Sequence, residues 1–408
     1  MLEMIPLETA LDLLLKKSNC CSTEAVELSA AYRRVLAEEI VAATNQPPFN
    51  RSPLDGYALQ GADLAGASHE SPARLRVTET LQAGYVAKGK VEAGTAIRIM
   101  TGAPVPDGAD TIIRFEDTRE ENGWVEVYVE LAPGSNIANA GEDIRQGELL
   151  LKPGSLLESP QIGVLAALGV PNVPVYKRPR VAILSTGDEL IEIDQELRPG
   201  KIRNSNLYTL AASVRESGGE PILLGTCPDV LQITAEKISA GLNRADLVVT
   251  TGGASVGDYD LVQKAMKQVG AGILFWKIAM KPGTPVVAAE AGEKLLLGLS
   301  GNPAAALISF EVLVRPLIKK MAGFAEYLRP RVTVKLMDGF RKKSSQKRFL
   351  RATVKLVNGE PCAYLAGAQN PGVLKSLLYT NALLEVPGNR APLMAGEMIE
   401  AIITGHLC

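Results

Sequence analysis

The chain has 408 residues, long enough for two to four domains, and 46% of them are hydrophobic, enough for real cores. Its 43 Lys and Arg nearly balance 45 Asp and Glu, and the resulting net charge of −2 argues against a general nucleic-acid binder. Cys20, Cys21, Cys227, Cys362 and Cys408 are scattered without metal-type spacing and read as reduced thiols, while two histidines, His69 and His406, speak against a histidine-based zinc site.

The N-terminal "MLEMIPLETALDLLLKK" lacks a basic leader and reads as an amphipathic helix, not a signal peptide. No apolar run approaches the roughly 20 residues of a membrane span, so a soluble, cytoplasmic protein is expected. Residues 1–45 look helical throughout, with Ser22 as N-cap of a second helix. An irregular Pro-rich segment, Thr44 to Gln60, follows. Residues 61–141 read as β: Asn122-Gly123 marks a hairpin turn, and Val125, Val127 and Val129 alternate with polar residues. Helical pattern returns at Leu157 to Val170, so residues 1–45 and 142–177 suggest one discontinuous domain carrying the inserted β domain 46–141.

From residue 178, apolar runs alternate with helical stretches. "NSNLYTLAASVRESGG" places Leu207, Leu210, Ala211 and Val214 on one face and stops at glycines. Strands apolar on both faces and separated by helices mean a parallel sheet covered on both sides, a three-layer α/β domain over 178–328. Beyond it, "RVTVKL", "RATVKLVNGEPCAYLAG" and "MIEAIIT" form a small all-β, barrel-like domain over 329–408, with Asn358-Gly359 as a hairpin turn.

In such sheets, ligands bind beyond the carboxyl ends of the strands. "TTGGASVGDYD", Thr250 to Asp260, sits at one such end. Gly252 and Gly253 permit positive φ and close backbone approach, and their N–H groups can form an anion nest. Thr250, Thr251 and Ser255 add hydroxyl donors. Asp258 and Asp260 would repel a bare phosphate, and they make sense where Mg²⁺ bridges carboxylate and phosphate. Other strand ends carry Ser185, Thr186, Gly187, Asp188 and Glu189; Asp229; and Gly301, Asn302 and Pro303. Asp258 also fits a helix N-cap, and Asp229 with Gln232 a capping box. Four polar strand ends together favour a Mg²⁺-assisted site for a phosphorylated ligand.

These residues, with "PPFNRSPLDGYA", "AIRIMTGAPVPDGADTII", "GEDIRQG", "ILSTGDEL", "KIAMKPGTPV", "LSGNP" and "RFLR" in this order, resemble the molybdopterin molybdenumtransferase family, which includes the C-terminal domain of gephyrin. The resemblance covers essentially the whole chain. It implies four domains, an elongated homodimer, and an active-site cleft between the α/β domain of one subunit and the inserted β domain of the other. It implies cleavage of adenylyl-molybdopterin with Mg²⁺ and insertion of molybdate, giving molybdenum cofactor and AMP, with a molybdopterin adenylyltransferase as upstream partner. By motif match, Asp188, Glu189 and Asp229 are the acids at the nucleotide and metal end; Asp188, Asp229 and Asp258 are the metal ligands. Ser185, Thr186, Gly252, Gly253, Ser255, Asp258 and Asn302 bind substrate. Asp55, as a catalytic residue, and Thr101 come across the cleft, Asp143 is a further acidic position, and Lys277, Lys281 and Arg351 face anions. Taken without the resemblance, Asp55 and Thr101 fit turn positions, Lys281 a solvated turn lysine, and "RKKSSQKRFLR" an exposed basic hairpin.

The chain departs from the family pattern at one end of the site. Thr284 stands where the family has a second lysine, Ala305 and Pro371 replace hydroxyl residues, and Asn136 to Ile144 lacks the family's arginines. Losing a lysine and two hydroxyls weakens an oxyanion pocket by several kcal/mol, at about 1–3 kcal/mol per charged hydrogen bond. The alternatives that follow are a tungstate-using enzyme, a paralogue that binds molybdopterin or its adenylate without inserting metal, and an enzyme that only hydrolyses the adenylate.

Overall fold

The computed structural model describes residues 2–252, 259–390 and 392–406. The chain forms two compact units, one of Met1–Glu38, Pro153–Glu158 and Asn172–Cys408, the other of Glu39–Lys152 and Ser159–Pro171.

The first unit is built on a seven-stranded sheet, in the order Leu2–Ile5, Gly272–Ile278, Val287–Ala291, Lys294–Leu299, Leu247–Gly252, Arg180–Thr186, Glu220–Cys227. Alternate residues of the central strands enter different cores. Val181, Ile183, Leu247 and Val249 pack with helices Leu7–Lys17 and Ser205–Glu216, whereas Ala182, Leu184 and Val248 pack with helix Leu231–Arg244. Burial on both faces explains the unbroken apolar runs, and each large aliphatic chain contributes about 1.5–3 kcal/mol. The sheet is mixed, because Val287–Ala291 runs antiparallel to both neighbours and turns tightly into Lys294–Leu299 at Gly292. The other six strands are co-directional, so Thr186, Cys227, Gly252, Ile278 and Leu299 end at one rim.

The second helix expected before residue 45 is absent. Thr23–Glu27 is instead a strand paired antiparallel with Asn172–Tyr176. Ala and Glu favour a helix locally, but pairing with Asn172–Tyr176, whose Val173 and Val175 are fully buried, wins. At the C-terminal end of this unit, five strands close into a barrel: Arg331–Leu336, Lys347–Val357, Glu360–Leu365, Ala382–Val386 and Met398–Ile403. Asn358 and Gly359, both at positive φ, make its two-residue hairpin turn. The short strand Met280–Lys281 leaves the α/β sheet region and adds to the barrel, with Lys281 opposite Arg348.

The second unit holds a six-stranded sheet, in the order Thr111–Arg114, Gly56–Leu59, Thr95–Ile99, Ala73–Leu81, Trp124–Val127, Thr118–Glu121. Asn122 and Gly123 make the expected hairpin turn at positive φ, and Val125 and Val127 are fully buried. Helix Ser159–Ala167 belongs to this unit.

Candidate functional site

The rim of the seven-stranded sheet gathers polar side chains from four strand ends. Ser185 is buried, and its Oγ donates to Asn204 Oδ1 at 3.0 Å. The same oxygen accepts the Leu207 N–H at 3.1 Å, making Asn204 the N-cap of helix Ser205–Glu216. Asn204 Nδ2 donates to Thr226 Oγ1 at 3.2 Å, and Thr226 donates to Glu192 Oε1 at 2.8 Å. Thr251 Oγ1 donates to the Ser300 carbonyl at 2.9 Å and accepts from Asn206 Nδ2 at 3.0 Å. Asn206 also reaches the Gly301 carbonyl at 2.7 Å. Strand ends 180–186, 220–227, 247–252 and 294–299 are thus cross-tied by side chains of one segment, 192–206, which ends in the first turn of helix Ser205–Glu216. Motif reasoning singled out neither Asn204, Asn206, Thr226 nor Glu192. The signal was present in Asn204-Ser205-Asn206, an asparagine cap opening a helix directly beside the rim.

Two acids meet here. The Asp229 N–H donates to Asp188 Oδ1 at 3.1 Å, and both side chains are exposed. Helix Leu231–Arg244 starts with Val230 at its cap, and Gln232 Nε2 donates to Glu236 Oε1 at 2.9 Å. Glu189 is exposed and its carboxylate folds over Gly187. Thr186 is buried, and its Oγ1 has no hydrogen-bond partner among the described residues. It lines a small cavity of about 60 Å³ together with Ser185, Glu189, Thr251 and Gly252. Gly252 sits at φ 136°, where a Cβ would come 1.9 Å from the Thr186 carbonyl oxygen. Its glycine is therefore required by strand-to-strand approach. Gly253, Ser255 and Asp258 lie outside the described residues. Among the described residues no group of three His, Cys, Asp or Glu could hold a metal ion. The adjoining Asp188 and Asp229 nevertheless offer the hard oxygen donors that suit Mg²⁺, which commonly binds one or two carboxylates and completes its shell with water and substrate phosphate.

The second unit joins Asp55 and Thr101 directly. Asp55 Oδ1 accepts the Thr101 N–H at 2.7 Å and the Thr101 hydroxyl at 2.8 Å. These two bonds hold the exposed Asp55 carboxyl below its ordinary pKa. Asp143 is exposed, and its backbone N–H donates to the Gln46 carbonyl at 3.1 Å; no hydrogen bond links it to that pair.

The three cations expected to face anions divide. Lys277 Nζ pairs with Glu3 at 3.3 Å and lies 3.7 Å from the Trp276 ring centroid, so it is engaged at the sheet edge. Arg351 is fully buried and braces a loop, its Nη2 donating to the Ala368 and Asn370 carbonyls at 2.8 and 3.1 Å. Burial lowers its pKa. Lys281 is exposed and lines a cavity of about 700 Å³ between the barrel and the start of helix Pro303–Ser309. Asn302 lines the same cavity, as do Thr284, Ala305 and Pro371. Lys342, Lys343 and Arg348 line it too, and Arg341, Lys342 and Lys343 are exposed, as the reading of this segment as an exposed basic stretch expects.

Comparison with known proteins agrees along the chain. The MoeA N-terminal region (domain I and II) matches residues 5–169, a "Probable molybdopterin binding domain" residues 182–320, and the MoeA C-terminal region (domain IV) residues 333–404. A molybdopterin molybdenumtransferase of Staphylococcus epidermidis is 36% identical over 379 residues, covering 93% of this chain and 90% of the relative. One from Staphylococcus aureus is 34% identical over 400 residues, 98% and 96% of the two chains. The crystal structure of the molybdopterin biosynthesis MoeA protein from Pyrococcus horikoshii superposes with a TM-score of 0.86 at 32% identity, over 99% of this chain and all of that one. A crystal structure of a molybdopterin biosynthesis MoeA protein from Pyrococcus horikoshii OT3 gives a TM-score of 0.83 at 34% identity, over 98% of this chain and all of that one. No helix among the described residues is long and apolar enough to cross a membrane. With relatives above 30% identity along nearly its full length, the chain belongs to the molybdopterin molybdenumtransferase family.

Proposed function

We propose that this transferase cleaves adenylyl-molybdopterin with Mg²⁺ and inserts molybdate, forming molybdenum cofactor and AMP. The observation that carries the reading is the junction of Asp188 and Asp229 beside a cross-tied rim of hydroxyls and amides. Asp188 and Asp229 would hold Mg²⁺, with Asp258 as the third ligand. The bound ion would neutralise charge on the anhydride as AMP leaves. Ser185, Thr186, Thr251 and Gly252 bind the phosphorylated substrate, and Asn204 and Asn206 keep the strand ends at fixed spacing while charge develops. Asp55 and Thr101 act from a partner subunit in a homodimer, Glu189 and Asp143 serve as further acids, and a molybdopterin adenylyltransferase supplies the substrate in the cytoplasm. The four domains are bounded as the sequence suggests, at 45/46, 141/142, 177/178 and 328/329.

The test is incubation of the purified protein with adenylyl-molybdopterin and Mg²⁺, with and without molybdate or tungstate. Oxyanion-dependent AMP release together with metal-loaded pterin supports the proposal. AMP without metal insertion would mark an adenylate hydrolase, and tight binding without AMP a carrier. A second reading, altered oxyanion preference, is favoured by three positions. The Thr284 hydroxyl donates to the Met280 carbonyl at 2.6 Å, Ala305 presents a methyl, and the Pro371 carbonyl is taken by the Ala304 N–H at 3.0 Å. A product formed with tungstate but not with molybdate would establish that reading.

A further inference from the structure

The counter-ion of Lys277 comes from the N-terminus. Strand Leu2–Ile5 joins the edge of the seven-stranded sheet parallel to Gly272–Ile278, with Glu3 in register with Trp276, so these two side chains share a face. Trp276 packs against the core around helices Leu231–Arg244 and Tyr259–Gln268. Strand alternation would send the next residue, Lys277, to the other face. Instead Lys277 adopts φ 65°, a left-handed conformation that a lysine keeps only where its surroundings impose it. Its ammonium comes back over Trp276, 3.7 Å from the ring centroid and 3.3 Å from Glu3 Oε1.

The backbone around this pair is fixed, whereas the pair itself can be exchanged. Ile5 is buried and its carbonyl accepts the Ala279 N–H at 2.8 Å, which anchors the strand just beyond Glu3. The Glu3 side chain is 54% exposed, and Lys277 is its one ion-pair partner among the described residues. An ion pair this open to solvent is weak, so a second anion can replace the carboxylate. Lys277 lies near the end of its strand, at the rim that carries Thr251 and Gly252. Three strand spacings separate the two places, about 14 Å at about 4.8 Å each. A ligand held at both is elongated, as a nucleotide–pterin conjugate is, and a free phosphate cannot span them.

Resting on the proposed function, we infer that Glu3 is a positioning residue for Lys277: it holds the ammonium over Trp276 in the free protein and yields it to a phosphate group of the substrate. Binding exchanges one counter-ion for another, so Glu3 competes with the ligand. The weakness of an exposed pair limits that competition to about fivefold in affinity.

Trp276 reports the exchange, because the chain has two tryptophans and the other, Trp124, is partly exposed in the second unit and can be replaced. In a full-length Trp124→Phe background, adenylyl-molybdopterin added without molybdate should shift the Trp276 emission as the ammonium leaves the ring. A shift with molybdopterin alone or with AMP alone supports the exchange and assigns the phosphate to that half of the substrate. Lys277→Gln should abolish the shift. Glu3→Gln should lower the dissociation constant of adenylyl-molybdopterin by up to about fivefold with an unchanged thermal transition. A glutamate that only docked the N-terminal strand would give the opposite, weaker binding and lower stability. No emission shift in the parent, or equal or weaker binding in Glu3→Gln, overturns the inference, and the parent's emission decides alone if the variant does not fold. A substrate-dependent shift with tighter Glu3→Gln binding, in a protein that releases no AMP, would sink the transferase reading and leave this one standing. AMP release with Trp276 emission unmoved by substrate does the reverse.

Discussion

At the scale of single residues, the site is a set of hydrogen bonds that fix charges. Asp188 and Asp229 meet through one backbone N–H, and both carboxylates are exposed at the rim. Asp229→Asn keeps that N–H and removes only the charge. It should abolish Mg²⁺-dependent AMP release while leaving the thermal transition in place, measured by chromatography of the nucleotide product and by calorimetry. Unchanged turnover would remove Asp229 from the metal end. The Asp55–Thr101 pair makes a separate prediction. Two Thr101 donors favour the ionised Asp55, so its folded pKa lies below the unfolded value. The stabilisation it brings is present above the unfolded pKa of about 3.9 and is lost as pH falls through the lower folded one. In Thr101→Val the hydroxyl donor is gone and the backbone donor stays. The Asp55 midpoint, followed by carboxyl NMR, should move up part of the way; a midpoint that stays put would show that the hydroxyl contributes nothing.

At the scale of elements, what was legible in the sequence was what is decided locally. The helix Ser205–Glu216 announced itself by its buried stripe and terminal glycines, and both Asn-Gly hairpins by their turn chemistry. Thr23–Glu27 could not be read this way, because its Ala- and Glu-rich sequence carries no strand signal and its partner lies almost 150 residues further on, at Asn172–Tyr176. Val287–Ala291 was hidden for another reason: a short Val and Ala run does not reveal its direction, which the turn at Gly292 sets. The rim's acids and hydroxyls were legible because strand ends bearing them stand out against apolar runs, but the cross-ties through Asn204 and Asn206 depend on three-dimensional proximity. Gly252 shows the two levels meeting. Its role was read as approach to a ligand, and the structure adds close approach to Thr186 on the neighbouring strand. Gly252→Ala puts a methyl against a backbone carbonyl at positive φ. It should cost at least about 1–3 kcal/mol from backbone strain alone, with the clash adding to that, and should separate the strands at the rim. Urea denaturation would read the loss, and a variant as stable as the parent would show that the loop relaxes freely.

At the scale of the whole chain, remote segments are held together by a few shared charges. Lys347, on a barrel strand, bonds both Glu8 of the N-terminal helix and Glu385 of a second barrel strand. Arg331 reaches Glu385 at 3.3 Å. Burial opposes ionisation at Lys347, yet its hydrogen bonds to Glu385 and Glu8 win and raise its pKa. Burial likewise pulls the Glu8 pKa up, and the Lys347 hydrogen bond outweighs it and brings the value down. The signs then set the pH window. The lysine's contribution is complete below its unfolded pKa of about 10.4 and fades above its raised folded one, while the glutamate's is complete above about 4.3 and fades below its lowered one. Docking of helix Leu7–Lys17 onto the barrel should therefore be firmest across the span between those limits. Lys347→Met keeps the aliphatic stem and deletes the bridge. Glu385, only 8% exposed, retains Arg331, so the loss is that of one charged hydrogen bond at a buried carboxylate, about 1.5–3 kcal/mol, with the Glu8 contact adding little in solvent. Hydrogen exchange should rise most in the barrel strands Lys347–Val357 and Ala382–Val386 of the variant, only slightly in residues 7–17, and stay unchanged in helix Ser205–Glu216, whose packing does not involve the bridge. Equal protection of residues 7–17 in parent and variant would show that apolar contacts of Leu7, Ala10 and Leu14 dock this helix unaided.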